Sequence, residues 1–166
     1  TDWAKYGLEL QQRIGIDQKL ISRIITRAKK NPKRVVFAEA NNHKILKAAQ
    51  VLQDEGIAHP ILLGKMKEIQ ALIKEHKLDL SENCTFIDTY EETERVEIFA
   101  KHYYNLRKRK GITPFEAKKL IRERNIFGAM MVEHGEADAL ISGLTKDYPK
   151  TILPALNVIG IEEGIN

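Results

Sequence analysis

Cysteine is almost absent from this chain, with a single residue, Cys84, among 166. One thiol excludes an intramolecular disulfide, and its apolar-flanked setting, Cys-Thr-Phe-Ile, fits a reducing compartment. Long apolar runs are missing as well. None approaches the ~20 residues that a membrane span needs, and no signal peptide opens the chain. A cytoplasmic protein without a membrane partner is therefore expected. Neither GxGxxG nor GxxxxGK[ST] occurs, so a dinucleotide fingerprint and a P-loop are unsupported. GxSxG and HExxH are lacking too. The histidines His43, His59, His76, His102 and His134 have no metal-ligand spacing with one another or with cysteine, so no metal is expected. Glu133, His134, Glu136 and Asp138 read as a solvated helix end, and Met130-Met131 as core packing. The chain also lacks an initial methionine and reads as a piece cut from a longer polypeptide.

What is present suffices for one globular domain, with 43% hydrophobic and 30% charged residues. The formal charge of +4 is unevenly spread. Residues 101–124 hold nine bases (101, 107 to 110, 118, 119, 122 and 124) against Glu116 and Glu123, a local +7 that leaves −3 elsewhere. Such a focus attracts phosphates or an acidic surface. A solvated helix face explains Lys118, Lys119 and Arg122 equally well. No groove-reading motif is present, so nucleic acid is not an expected partner.

Apolar spacing predicts helices over 3–14 (Trp3, Tyr6, Leu10, Ile14) and, capped by Asp17, over a second segment ending before Asn31-Pro32. Strands are expected at 34–40, 60–63, 85–87 and 138–142, the last with a buried core at 139–141. Helices are expected at 43–55, 65–76, 91–108, 113–124, 125–134 and 150–159. Gly56 suits a helix C′ position and Pro114 a first helical turn. Short strands alternating with helices imply an α/β fold, a mostly parallel sheet with helices on both faces.

Ligands of open α/β sheets bind beyond the carboxyl ends of the strands. That rule selects Glu39 and Asn41, Gly64, Asp88, and the run from Ser142 to Lys146. The turn Ser142-Gly143-Leu144-Thr145 can offer N–H donors to a phosphate, making Ser142, Gly143 and Thr145 candidate ligand-binding residues, or it can be an ordinary tight turn.

RVVFAEANNHKILKAAQVLQDEGIAHPILLG (34–64), LRKRKGIT (106–113) and FGAMMVEHGEADALISG (127–143) resemble, in order, blocks of the phosphate acetyl/butyryltransferase (phosphotransacetylase) family. The preceding DWAKYGLELQQRIG and the tail PALNVIG are similar to the phosphotransacetylase-like C-terminal region of hybrid NADP-dependent malic enzymes. The resemblance implies an isocitrate dehydrogenase-like first domain over 17–160. A linker arm from a preceding malic enzyme domain would cover 1–16, and residues 161–166 would start the crossover to a second domain. In such transferases CoA thiolate attacks acyl phosphate, helped by an aspartate base, a serine and two phosphate-holding arginines. Arg107 falls on the first arginine's position, and the second falls on Leu153. The serine and aspartate would lie beyond Asn166, so no catalytic residue is expected in this chain.

The implied role is that of a non-catalytic, acetyl-CoA-sensing regulatory and assembly module. Its parent would convert malate to pyruvate with NADP and Mg or Mn held elsewhere. The implied partners are the malic enzyme domain of the same polypeptide, an acyl-CoA and further copies in a homo-oligomer. Phosphate acetyltransferase or butyryltransferase activity is the alternative.

Overall fold

The computed structural model describes residues 16–80, 84–161 and 164, with side chains from residue 19 onward. The helix expected over 3–14 lies outside the described residues, as does most of the crossover. The chain runs α1 (Ile16–Lys30), β1 (Lys33–Phe37), α2 (His43–Asp54), β2 (Ala58–Leu63), α3 (Met66–His76), β3 (Thr85–Ile87) and α4 (Thr93–Arg107). A 3-10 turn (Lys108–Lys110) follows, then α5 (Pro114–Ile121), α6 (Arg124–Glu133), β4 (Ala139–Ile141) and α7 (Tyr148–Val158). No helix among the described residues is long and apolar enough to cross a membrane.

The sheet has the order β3-β2-β1-β4, and every pairing is parallel. Val36 of β1 stands between Ile61 of β2 and Leu140 of β4. The chain builds outward from β1 through β2 to β3, then returns to the other side of β1. The reversal opens a crevice at the carboxyl ends of β1 and β4, where such folds hold ligands.

Period-2 alternation along the strands divides the core into two layers. Val36, Ile61, Leu63 and Ile87 pack with Val96, Phe99, Phe127 and Met130 from α4 and α6. Phe37 and Leu62 face the other way, onto Leu46 and Ala49 of α2 and Ile69 of α3. Phe99 and Phe127 meet edge to face, centroids 5.2 Å apart, each ring contributing about 1.5–3 kcal/mol through burial. Met130 and Met131 are core residues, as expected. Gly128 brings α6 down onto the sheet, since a Cβ there would stand 2.7 Å from Leu140 Cδ1 and 3.2 Å from Val36 Cγ1.

Several boundaries differ from the sequence expectation. β1 stops at Phe37, after a last ladder bond from Ala38 N–H to the Ile141 carbonyl at 3.2 Å, and the next residues turn, carrying Glu39 inward. α4 starts at Thr93, because Asp88 Oδ1 takes the Tyr90 N–H at 3.0 Å and holds the preceding residues in a turn. β4, expected to be buried, is a half-exposed edge strand, with Ile141 at 48% exposure, since only β1 flanks it. Thr113 and Glu116 form a reciprocal capping box at the start of α5, with Pro114 in the first turn as expected.

Candidate functional site

The loop from β4 to α7 is organised by an anion of the chain itself. Gly143 sits at φ +106°, a backbone conformation that L side chains rarely adopt. Its N–H and that of Leu144 donate to Glu39 Oε2 at 2.9 and 2.7 Å. The Thr145 N–H donates to Oε1 at 2.9 Å, and the Thr145 hydroxyl donates to the same oxygen. Glu39 is only 2% exposed. Burial pushes its carboxyl up, but the Thr145 hydroxyl and the three N–H groups outweigh burial and hold it below the ordinary range. The N–H groups that the sequence offered to a ligand phosphate therefore carry an internal carboxylate. Ser142 Oγ donates to Asn125 Oδ1 at 2.9 Å.

Asn125 was legible in sequence only as a helix-start residue, yet it ties three elements together. Pro154 lies inside α7 and has no N–H for the Lys150 carbonyl one turn earlier. Asn125 Nδ2 donates to that carbonyl at 3.3 Å while its Oδ1 holds Ser142. Fully buried, it uses both ends of its amide, as a buried polar group must.

Beside this loop lies a groove of about 550 Å³ between the end of α4, the α5–α6 junction and α7. Arg107 and Leu153 both line it, with Tyr103, Ile112 and Pro154 on its apolar wall and Lys110, Lys146 and Lys150 on its rim. Arg107 is half-buried at the C-terminus of α4, where the helix dipole favours a cation. It makes no hydrogen bond or ion pair with the described residues. Its charge is felt by Tyr103, whose hydroxyl is pushed up by burial and partly drawn back by the guanidinium. Lys146 is paired with Glu123, and Lys150 with Asp147 at 2.8 Å. Leu153 presents an apolar side chain at 51% exposure. Ser142, Gly143 and Thr145 stand outside the groove lining, which Lys146 joins directly after them.

A second cleft, of about 370 Å³, opens at the strand ends and is lined by Asn41, Gly64, Asp88, Arg122, Arg124 and Lys146, among others. Four of these, Asn41, Gly64, Asp88 and Lys146, are positions chosen from the sequence by the strand-end rule.

The model of the phosphate acetyl/butaryl transferase family matches residues 19–166. The chain belongs to that family. It is 34% identical over 166 residues to the NADP-dependent malic enzyme of Haemophilus influenzae, a match covering 99% of this chain and 22% of that protein. It is 33% identical over 144 residues to the phosphate acetyltransferase of Acetivibrio thermocellus, covering 87% of this chain and 42% of that one. A phosphotransacetylase from Streptococcus pyogenes superposes with a TM-score of 0.83 at 29% identity, over 92% of this chain and 45% of the other. This family member thus spans less than half the length of the relatives it matches. The α/β class and the phosphotransacetylase-like fold expected from sequence are both present.

In this family member the basic run 101–124 is one feature in sequence and several in space. Arg107 and Lys110 go to the groove, Arg122 and Arg124 to the strand-end cleft, and Lys101 and Lys118 to a shallow surface depression beside Phe115. The lone thiol lines neither cleft. Cys84 donates to Gln53 Oε1 at 3.1 Å, and burial, then Asp54, push its pKa up to about 11. Only the thiolate reacts, so labelling of the native protein by a disulfide reagent at pH 8 should run at least about tenfold slower than labelling in denaturant. Equal rates would show that Cys84 is an open, ordinary thiol.

Proposed function

We propose that this chain is half of a phosphotransacetylase-like module that binds an acyl-CoA in the Arg107 groove and regulates, rather than catalyses. The observation that carries the reading is the pairing of Arg107 with Leu153 across one groove. The family resemblance assigns both positions to arginines that hold phosphate, and leucine cannot do so. An acyl-CoA still suits what remains. Arg107 and Lys110 are cations without carboxylate partners among the described residues, and Ile112, Leu120 and Pro154 form an apolar wall. The loop after β4, whose Gly143 and Thr145 donors are taken by Glu39 and whose Ser142 hydroxyl is taken by Asn125, serves the groove by keeping Lys146 on its rim.

The parent in this reading is an NADP-dependent malic enzyme whose NADP, Mg or Mn and malate are held by residues outside this chain. Regulation requires that acetyl-CoA bind two states of the parent unequally. Contacts with the malic enzyme domain of the same polypeptide and with further copies would transmit that difference.

Calorimetric titration and a transferase assay on the full-length protein separate the readings. Acetyl-CoA should bind, and acetyl phosphate with CoA should give no turnover above background. Robust acyl transfer would replace this reading with the second one, a phosphate acetyltransferase or butyryltransferase. The similarity to the Acetivibrio thermocellus phosphate acetyltransferase favours that alternative.

A further inference from the structure

We infer that the cleft at the carboxyl ends of β1, β2 and β3 is a second binding site, separate from the Arg107 groove, and that it takes the phosphoryl group of a small molecule. Its charges sort into pairs and a remainder. Lys65 is bridged to Glu68 at 3.3 Å, and Lys146 to Glu123. Arg122 and Arg124 remain, and neither is paired with a carboxylate among the described residues. The one other acid on the lining is Asp88, and its Oδ1 already accepts the Tyr90 N–H.

Both guanidiniums are positioned through neutral acceptors, leaving their charge uncancelled. Arg122 Nη1 donates to the carbonyls of Thr89 at 3.2 Å and Tyr90 at 2.8 Å, and the Thr89 hydroxyl donates back to the Arg122 carbonyl at 2.8 Å. Arg124 Nη1 donates to Asn41 Oδ1 at 2.9 Å and would stand 3.7 Å from a Cβ on Gly64. A guanidinium carries five N–H donors, so each keeps several for a ligand. Arg124 is also the first residue of α6, where the helix dipole disfavours a cation. Two half-buried guanidiniums in one concave site, held by neutral oxygens and set against the local dipole, match the bidentate demands of a phosphoryl group.

The lip of the cleft adds an aromatic surface. Tyr90 is 64% exposed, with Arg122 Cζ 5.6 Å from its ring centroid. That ring can stack a base, so a nucleotide and an inorganic phosphoryl anion share the site's chemistry. The Glu123–Lys146 pair lines both this cleft and the Arg107 groove, so occupancy of one can be felt in the other.

This inference does not rest on the acyl-CoA reading, and its test keeps the two apart. Pyrophosphate, ADP and adenosine are titrated calorimetrically into the full-length protein and into Arg124→Gln, Arg124→Lys and Arg107→Ala. Pyrophosphate should bind wild type and Arg107→Ala alike, and Arg124→Gln should weaken it at least about tenfold, with Arg124→Lys in between. Unchanged melting of Arg124→Gln guards against a folding defect, and Arg124→Lys keeps the test decisive if that variant is unstable. ADP binding more tightly than pyrophosphate, with the gain removed by Tyr90→Ala, supports a nucleotide. Equal affinities support an inorganic phosphoryl anion. Adenosine binding as tightly as ADP, indifference to Arg124→Gln, loss in Arg107→Ala, or no binding of pyrophosphate and ADP would each overturn the inference.

Discussion

Glu39→Gln should cost about 3 kcal/mol and lower the melting temperature by roughly 6–12 °C, because the side chain it replaces accepts four hydrogen bonds from three consecutive loop residues. The three N–H groups and one hydroxyl from residues 143–145 all point at its two oxygens. A glutamine retains one carbonyl oxygen but turns an NH2 toward donors, so at least one N–H faces another and the charge assistance is lost. Acidification gives a second handle. The Glu39 carboxyl is held below its ordinary value in the folded protein, so its contribution is complete above the unfolded carboxyl's pKa of about 4.3 and is lost as pH falls through the lower, folded value. The stability difference between wild type and Glu39→Gln should therefore shrink between pH 6 and pH 3, measured by chemical denaturation. A difference that stays constant over that range would mean that Glu39 acts through packing and not through its charge.

Arg107→Ala should weaken acetyl-CoA binding to the full-length protein by about 10- to 100-fold, the loss of charge-assisted hydrogen bonds to a phosphate or thioester oxygen. Arg107→Lys should recover part of it, as a point charge without the planar fork. Melting temperature should hardly move, because Arg107 makes no hydrogen bond or ion pair with the described residues. That separation of binding from stability distinguishes a ligand-facing arginine from a structural one. Undiminished affinity in Arg107→Ala would move the acyl-CoA site away from this groove. The two variants probe different parts of one neighbourhood. Glu39 shapes the loop that ends in Lys146, and Arg107 meets whatever the groove receives.

Much of the architecture was legible in the chain. Strands 85–87 and 60–63, the helix opened by Pro114 and the end of the helix before Gly56 all followed from apolar spacing and cap residues. The family blocks were readable as well, because they are strand-and-turn segments whose residues serve one local geometry. Glu39 was harder. The strand-end rule correctly placed it at the mouth of the sheet, but nothing local showed that its carboxylate turns inward and meets donors more than 100 positions away. Asn125 was harder still, since its partner is a carbonyl stranded by Pro154. A cue existed: a proline inside a helical pattern always leaves such a carbonyl seeking a donor.

The basic run from Lys101 to Arg124 marks the limit of sequence reading most clearly. Charge counting located the anion-binding potential but treated nine bases as one patch. By itself the sequence determined the α/β class, the parallel alternation, the family and the leucine at position 153, since these depend on local periodicity and residue identity. Only the tertiary structure decided which cations are free. Ion pairing and burial depend on distances between elements apart in the chain, and those distances neutralise Lys146 through Glu123 while leaving Arg107, Arg122 and Arg124 without a carboxylate partner among the described residues.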